Sequence, residues 1–264
     1  MPVITISRGS YSHGREVAEK LAAKLGYGCL SREIILEASK LFNIPEMTLV
    51  RAVHDAPTAF DRFSNGKQRY VSYFREAILN ILQSDRIVYH GLAGHYFVSG
   101  VSHVLKVRIL ADMEDRIAEE MRCKFLSAQD AKRALVKDDE ARLRWGYYLF
   151  GVDTTDSLLY DLVLNVSAVG LDEAVEILAI AATLPSLQTT AQSRKAMRLC
   201  HLAARLQNLL MDEIPSIEVS ALNGEFLVVS GGHWSEGRKL LARVGELIDT
   251  EKEQVRVKLQ LSNR

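Results

Sequence analysis

Apolar and polar positions along the chain alternate between short strand-like runs and longer helical stretches. Apolar runs at 2–6, 86–90, 104–110 and 160–166 predict strands, and amphipathic stretches lie between them. Strands that are separated by helices indicate a parallel sheet wrapped by helices, which is an α/β fold. Loops that follow parallel strands meet at one edge of the sheet, so we expect a ligand crevice there.

Helices in this first region are predicted from apolar residues at three- and four-residue spacing. They cover residues 17–25, 46–54, 68–83, 115–145 and 172–184. A further helical pattern starts at Cys29–Glu33, with Ser31 as its candidate N-cap. The polar residues 56–66 predict a loop.

A polar stretch at 185–194 reads as a linker to a second region. The elements beyond it follow the order helix, strand, strand, helix, strand, and they cover residues 194–211, 217–221, 225–231, 236–248 and 254–261. Asn223-Gly224 predicts the tight turn of a hairpin between the first two strands. The sequence therefore predicts a large domain over 1–184 and a small α+β domain over 195–264.

Composition narrows the class of protein. Of 264 residues, 33 are Lys or Arg and 33 are Asp or Glu, so no global basic field recruits nucleic acid. No apolar stretch approaches the roughly 20 residues of a transmembrane helix, and the first residues do not resemble a signal peptide. Cys29, Cys123 and Cys200 lack the spacing of a structural zinc site. We expect a cytoplasmic protein without a nucleic-acid partner.

The loop after the first strand is the candidate for phosphate binding. Gly9 and Gly14 have the spacing G-x-x-x-x-G, and a helix follows at once. Its unpaired N–H groups and its dipole attract anions. Arg15 stands where the usual pattern has Lys, and Glu16 stands where it has Ser or Thr. An ordinary strand–turn–helix connection has the same spacing, so both interpretations stay open.

Residues 115–145 are densely charged and have two interpretations. They form either a solvated helical hairpin or a mobile arm whose arginines close over transferring phosphates. Arg142 and Arg144, followed by Trp145, are the first residues to test. His13 and His95 follow neighbouring strands, but lone loop histidines more often have a surface role, so no catalytic role is assigned to them.

Several short motifs together resemble the cytidylate kinase-like family of P-loop proteins. They occur in the family's order: Ile4–Arg8, Gly14-Arg15-Glu16, Leu25-Gly26, Arg32–Ile35, Asp115-Arg116-Ile117, Leu126-Ser127, Asp139, Arg142 and Tyr160–Asn165. The resemblance covers residues 1 to about 180. It implies a nucleoside monophosphate kinase-like fold with a phosphate loop, an acceptor region and a lid that carries arginines.

The resemblance also implies an activity and its site residues. We expect transfer of the γ-phosphoryl group of ATP, with Mg²⁺, to an acceptor such as CMP. The implied cofactor-binding residues are Gly9, Ser10, Ser12, Gly14, Arg15 and Glu16. Arg32 would contact the acceptor, and the implied catalytic residues are Arg15, Arg116 and Arg142.

Departures from the family pattern support a second hypothesis. Tyr11 and His13 stand where the family tends to have small glycines, and the loop Gly91–His95 lacks an arginine and a carboxylate. Ser31 replaces an acidic residue. Each change removes charge or space where phosphoryl transfer needs it. The alternative is a catalytically impaired, kinase-like protein that binds nucleotide and has a regulatory role without turnover.

Residues 195–264 resemble the BON domain in their hydrophobic spacing and turn glycines. The resemblance rests on Val219, Val229, Gly231 and Gly245, together with the Asn223-Gly224 turn. It implies a module that binds a small ligand or a protein partner. A packing appendage that stabilises the first domain is the other interpretation.

Overall fold

The main sheet is built from parallel strands, as the sequence predicts. The computed structural model describes residues 1–10, 12–31, 33–54, 66–91, 94–222, 224–233, 237–250 and 255–262. Among them, five strands form this sheet: β1 (Val3–Arg8), β2 (Gly28–Leu30), β3 (Ile87–His90), β4 (Val104–Leu110) and β5 (Leu162–Asn165). Their order is β2-β3-β1-β4-β5, and every described pairing is parallel.

Helices accompany these strands along the chain. They are α1 (Gly14–Leu25), α2 (Glu33–Phe42), α3 (Glu46–His54), α4 (Gly66–Leu82), α5 (Gly94–Phe97), α6 (Met113–Lys124), α7 (Ala128–Phe150), α8 (Val166–Val169) and α9 (Leu171–Ala181). Short 3₁₀ turns lie at Ser157–Leu159 and Pro185–Leu187. The α/β architecture of the prediction is confirmed.

Alternation within β1 and β4 gives the sheet two different faces. Ile4 and Ile6 of β1, with Val107 and Ile109 of β4, pack into a core that includes the apolar faces of α1 and α9. The intervening position Arg108 of β4 is only partly buried and lies beside Ser7 in register. Burial of one face thus directs this arginine to the opposite face.

The C-terminal elements form a second, smaller sheet. They are α10 (Ala191–Leu210), β6 (Glu218–Leu222), β7 (Phe226–His233), α11 (Gly237–Thr250) and β8 (Arg256–Ser262). The strand β7 pairs with β6 antiparallel and with β8 parallel. This confirms the predicted order of helix, strand, strand, helix, strand. Asn223 of the predicted turn lies outside the described residues.

Packing groups the described residues into two compact units. The first takes in Met1–Glu33, Val53–Ala59 and Ser84–Thr189, and the second takes in Ile34–Ala52, Phe60–Gln83 and Thr190–Arg264. Helix α4 thus packs with α10 within the second unit, although it precedes β3 in the chain. The domain boundaries drawn along the sequence stay a prediction.

One local prediction is wrong, and one short helix was not predicted. The helical pattern expected to start at Cys29 begins only at Glu33, because residues 28–30 pair with β3 as the edge strand β2. The backbone N–H of Ser31 donates a hydrogen bond to the Glu33 carboxylate at 2.7 Å. Helix α5, at the start of a segment where no helix was predicted, is a single turn. The predicted loop at 56–66 lies largely outside the described residues.

Candidate functional site

The loop after β1 is organised by hydrogen bonds of its serines. The Ser12 hydroxyl donates to the carbonyl oxygen of Gly9 at 3.0 Å, and the Ser10 hydroxyl donates to Asp138 Oδ2 at 3.0 Å. Both serines are buried. His13 then takes a left-handed conformation, with φ of 56°, and α1 starts at the next residue. The loop therefore leads directly into a helix N-terminus, which attracts anions.

Gly14 is required by the close approach of Arg8. A Cβ atom at Gly14 would lie 2.7 Å from both Cβ and Cδ of Arg8. The Arg8 side chain therefore runs against the start of α1. Its Nε atom is buried and has no hydrogen-bond partner among the described residues. Burial, and then the charges of Arg142 and Arg15, lower the pKa of Arg8.

Arg15, the predicted phosphate ligand, faces along its own helix. Its Nε donates to Glu19 Oε1 at 2.7 Å, and 72% of the side chain is exposed. Glu16 lies in the first turn of α1, with an oxygen 3.4 Å from His13 Nδ1 and another 3.6 Å from Lys20 Nζ. Arg8 is therefore more enclosed at the loop than Arg15, and sequence reasoning gave Arg8 no role.

Arg116 fixes the loop to α7. Its two terminal nitrogens donate to the two carboxylate oxygens of Asp139, each at 2.9 Å, and its Nε donates to the Ser10 carbonyl at 2.9 Å. The bidentate pairing gives the guanidinium a defined orientation. A Cβ on Gly9 would lie 3.4 Å from Arg116 Nη2, so the glycine lets the guanidinium come close.

Arg142 reaches the same loop from α7. Its nitrogens lie 3.3 Å from the Arg8 carbonyl oxygen and 3.4 Å from Ser10 Oγ. Burial lowers the pKa of Arg142, and the charges of Asp138 and Asp139 act in the opposite direction. The structure thus brings the predicted residues Arg116 and Arg142 to the predicted loop.

These arginines open onto a cavity of about 160 Å³, which we call the arginine chamber. Its lining includes Ser7, Arg8, Gly9, Ser12, His95, Tyr96, Arg108, Leu110, Ala111, Arg116, Asp139, Arg142, Trp145, Thr154 and Thr155. The chamber lies where β1 and β4 end, which is the predicted crevice. Four arginines and a single carboxylate contribute to this lining, so the chamber favours an anion.

An aromatic cluster forms part of the chamber wall. The ring of His95 lies 3.9 Å from that of Tyr96 and 4.8 Å from that of Tyr160, measured between centroids. Tyr96 stacks on Phe150 at 4.2 Å. Burial, followed by the charges of Arg108 and Lys106, lowers the pKa of His95 to about 3. His95 is therefore neutral at physiological pH.

Two further cavities adjoin Arg8. One of about 680 Å³ is lined by Arg8, Ser10, His13, Gly14, Arg15, Glu16, Glu19, Glu119, Lys124 and Asp138. The other, of about 290 Å³, lies beyond β2 and β3 and is lined by Arg8, Arg15, Glu19, Cys29, Ser31, Glu33 and His90. Arg8 contributes to all three named cavities, so it is placed to contact ligands on either side of the loop.

Several site residues escaped the sequence prediction. Arg108 and Asp138 contribute to the site, and Arg108 could have been found as one of two cations at alternating positions, with Lys106, in a strand that is otherwise apolar. Arg32, predicted to contact the acceptor, lies outside the described residues. The same holds for Tyr11 and Leu92. The described residues hold no cluster of three or more metal-ligating side chains, and no helix among them has the length and apolar character of a membrane span.

Comparison with known proteins identifies related sequences and folds. A family model described as the cytidylate kinase-like family matches residues 3–168, which is more than half of the chain. No curated protein matches the chain significantly.

Similar solved structures have low sequence identity to this chain. An uncharacterized protein from Eubacterium ventriosum ATCC 27560 is 17% identical, with a TM-score of 0.51, over 69% of this chain and 97% of that chain. A shikimate kinase from Bacteroides thetaiotaomicron is 10% identical, with a TM-score of 0.45, over 69% and 99% of the two chains. At 17% identity, the similarity to the Eubacterium ventriosum protein shows a shared fold and nothing about function.

Proposed function

We propose that this chain, which belongs to the cytidylate kinase-like family, is a nucleotide-binding phosphotransferase. It moves the γ-phosphoryl group of ATP to a nucleoside monophosphate or a similar acceptor. The observation that carries the proposal is the convergence of Arg8, Arg116 and Arg142 on one cavity beside the loop after β1. Phosphoryl transfer depends on such fixed positive charge, because the protein mainly positions phosphates and neutralises them.

In this reaction an acceptor oxygen forms a bond to the γ-phosphorus, and the bond from that phosphorus to the bridging oxygen of ADP breaks. Arg116 is held by Asp139, so its orientation is set before the ligand arrives. Arg142 comes from the same helix as Asp139 and reaches the loop. The two arginines would stabilise the charge on the transferring group, which is the catalytic role predicted for them.

The residues at the loop fit a nucleotide phosphate chain better than they fit a protein-bound metal. The start of α1, Ser10, Ser12 and Arg8 would hold ATP phosphates. Glu16 stands where the usual loop has a hydroxyl that binds Mg²⁺. Asp138 is the carboxylate beside Ser10 and would act with phosphate oxygens and water as a Mg²⁺ ligand. When bound, Mg²⁺ neutralises phosphate charge.

The acceptor would lie in the cavity beyond β2 and β3. Its lining by Arg15, Ser31 and His90 supports this position, because it adjoins the loop through Arg8. Arg32 remains the predicted acceptor ligand, since it follows Ser31 directly in the sequence. Cytidine monophosphate is the first acceptor to test.

A regulatory protein without turnover is the second candidate function. The pairing of Arg15 with Glu19 favours it, because the carboxylate offsets the positive charge of the arginine in the G-x-x-x-x-G-R pattern. His13 in the loop and the sequence of Gly91–His95 act in the same direction. In this case nucleotide binds at the loop, but no phosphoryl group is transferred.

Titration with ATP–Mg²⁺, followed by a phosphotransfer assay with CMP, dCMP and UMP, separates the two candidates. The enzyme binds ATP and produces ADP together with a nucleoside diphosphate. Binding without either product selects the regulatory protein. Failure to bind ATP even at millimolar concentration would overturn both.

Substitutions then locate the chemistry. We expect Arg142→Ala to lower kcat more than it weakens ATP binding, because its charge acts on the transferring group. Arg15→Ala tests the predicted phosphate contact. Unchanged ATP affinity in Arg15→Ala, together with a loss in Arg8→Gln, would assign that contact to Arg8. Arg133→Gln is the matched control, because its exposed side chain pairs only with Asp130 among the described residues.

The C-terminal module is proposed to bind a small ligand or a protein partner, as its resemblance to the BON domain implies. Its order of elements supports the proposal. A binding screen on the full chain tests it, with loss of binding in a variant of the β6–β7 hairpin as the expected result. Unchanged binding would assign the ligand to another part of the chain.

A further inference from the structure

The hydroxyl group of Ser10 is engaged by helix α7 in the ligand-free chain. Ser10 is buried in the loop after β1, and its hydroxyl donates to Asp138 Oδ2 at 3.0 Å. A serine hydroxyl has a single hydrogen to donate. Ser10 therefore cannot donate to a phosphate oxygen while it donates to Asp138, and a carboxylate of the chain itself occupies this phosphate-binding group.

A carboxylate at this position opposes a phosphate that arrives without a cation. Asp138 lines the cavity of about 680 Å³ at the start of α1, together with His13 and Gly14, and we call this space the loop cavity. The Asp138 carboxylate and a phosphate oxygen carry charge of the same sign and compete for one hydrogen-bond donor. Phosphate binding at Ser10 therefore requires that the carboxylate turn away or that its charge be neutralised.

Other charges around the loop cavity do not offset this repulsion. Its lining contains four carboxylates and three cations that stay charged at neutral pH: Glu16, Glu19, Glu119 and Asp138, against Arg8, Arg15 and Lys124. The Arg15 guanidinium is paired with Glu19 at 2.7 Å. The Lys124 ammonium is paired with Glu120 at 2.7 Å. The loop cavity is therefore suited to phosphates that bring positive charge with them, whereas four arginines and one carboxylate line the arginine chamber.

Asp138 shares its side of helix α7 with Arg142. The two residues are four positions apart, so their side chains lie on the same face of the helix. Arg142 Nη2 lies 3.4 Å from Ser10 Oγ, the atom that donates to Asp138. A displacement of α7 that removed the carboxylate from the loop would remove Arg142 with it. Neutralisation of Asp138 in place keeps Arg142 at the loop.

We propose that Asp138 makes the loop selective for nucleotide phosphates that carry a divalent cation. In the ligand-free chain its carboxylate holds the Ser10 hydroxyl and resists the entry of a metal-free phosphate chain. When the phosphates arrive with Mg²⁺, Ser10 donates to a phosphate oxygen instead, and the Asp138 carboxylate faces the cation. The inference rests on the proposed nucleotide site and adds the residue that discriminates against ATP without metal.

Binding of ATP with and without metal tests the proposal. Calorimetric titration of the full chain with ATP, once in EDTA and once in excess Mg²⁺, gives two dissociation constants without any acceptor present. We expect Asp138→Asn to strengthen the binding of metal-free ATP at least about fivefold, which is the effect of one unit charge about 4 Å away even at the dielectric constant of water. The gain in affinity that Mg²⁺ gives to this variant should be smaller by at least about the same factor.

Further variants separate the charge of Asp138 from its hydrogen bond. Asp138→Asn keeps an oxygen that accepts from Ser10, whereas Asp138→Ala removes the acceptor as well and should strengthen metal-free binding at least as much. Asp138→Glu keeps the charge and should bind metal-free ATP as weakly as the unsubstituted chain. Glu140→Gln is the matched control, because it removes one negative charge from an exposed position of the same helix that lines none of the three named cavities. It should leave both dissociation constants unchanged.

Two results would overturn the selectivity of Asp138 and leave the transferase proposal intact. Unchanged or weaker binding of metal-free ATP in both Asp138→Asn and Asp138→Ala, with ATP–Mg²⁺ binding retained, would show that the carboxylate does not oppose phosphate. An equal gain in Glu140→Gln would assign the effect to the net charge of the chain. An unsubstituted chain that binds no ATP in the presence of Mg²⁺ overturns both proposals, so their failures are distinguished by the binding of ATP–Mg²⁺.

Discussion

The ion pair between Arg116 and Asp139 holds one arginine of the chamber in a single orientation. The Arg116 side chain is 10% exposed and that of Asp139 is 38% exposed. We expect Asp139→Asn to lower the free energy of unfolding by about 1–3 kcal/mol, because a largely buried guanidinium loses its charged partner. The partial exposure of Asp139 keeps the loss below that of a fully buried pair. Urea denaturation measures the change.

A pair on the same helix α7 provides the control. Arg133 and Asp130 are 69% and 51% exposed, so Arg133→Gln changes the free energy of unfolding by less than about 0.5 kcal/mol. If Asp139→Asn and Arg133→Gln lowered the free energy of unfolding equally, the pair of Arg116 and Asp139 would be no more buried than a surface pair.

The close packing at Gly14 predicts the effect of a second substitution. We expect Gly14→Ala to lower the free energy of unfolding by about 1–3 kcal/mol and to weaken ATP binding. The reason is that its Cβ would lie 2.7 Å from Arg8 Cβ, which cannot move aside as a flexible side-chain end would. Gly28→Ala is the control, since the nearest atom to its Cβ is 4.0 Å away. Urea denaturation measures the free energy of unfolding of both variants. Equal losses in Gly14→Ala and Gly28→Ala would show that Arg8 does not pack closely against Gly14.

At the scale of elements, periodicity predicts the strands that bury one or both faces. β1 and β4 were found because apolar residues dominate both segments, and the loop between β1 and α1 followed from two glycines at a fixed spacing. Sequence could not reveal β2, because its three residues form an edge strand with little burial. The pairing with β3 that creates it is a long-range contact.

The site residues that could be predicted are the charged residues within family motifs. Arg116 and Arg142 were identified through their resemblance to family motifs, and the structure brings both to the loop. Arg15 was assigned from its position after Gly14, but the orientation of a side chain on an exposed helix surface depends on neighbours such as Glu19. Arg108 was missed because the two cations of β4, Lys106 and Arg108, match no known binding motif.

Helix α11 contains a glycine that its packing does not require. A Cβ on Gly245 would have no heavy atom within 4 Å apart from those of its own helix and chain neighbours. We expect Gly245→Ala to raise the free energy of unfolding by about 0.5–1 kcal/mol, because alanine restricts the unfolded backbone. Gly26→Ala, at a φ of 66° after α1, should have the opposite sign. Thermal unfolding of both variants checks the prediction. A lower stability of Gly245→Ala would show that another group packs closely against this position.

At the scale of the whole molecule, two buried histidines give stability a dependence on pH. Burial is the first cause that lowers the pKa of His90 and of His95, the latter to about 3. Each folded pKa lies below the unfolded value near 6.5, so their contribution to stability is complete above about pH 6.5 and is lost as the pH falls below it. The unfolded chain then binds protons that the folded chain does not.

The loss of stability with falling pH is steep for His95. Between about pH 6 and pH 4, His95 lowers the free energy of unfolding by up to about 1.4 kcal/mol per pH unit at 25 °C. Urea denaturation at several pH values therefore gives a smaller slope for His95→Gln than for the unsubstituted chain. Equal slopes would show that the folded protein protonates His95 without penalty.

The two packing units predict how the chain responds to truncation. Within the second unit, the Asn208 amide donates to the Ser72 carbonyl at 3.3 Å and to Glu76 at 2.6 Å. Arg75 donates to Gln207 at 2.9 Å and to the Val219 carbonyl at 3.0 Å. Helix α4 therefore depends on α10 and β6 for partners, although a boundary drawn along the sequence assigns it to the other domain.

A chain that ends at Thr189 removes those partners and uncovers a face of α4. We expect it to lose helix content beyond the share of the deleted residues and to associate in solution, because buried polar and apolar groups of α4 are exposed together. Circular dichroism and size-exclusion chromatography measure the two effects, with full-length Asn208→Ala as a milder variant that keeps every element. A truncated chain that stays monomeric and unfolds cooperatively would show that residues 1–184 form an independent domain, as the linker at 185–194 predicts.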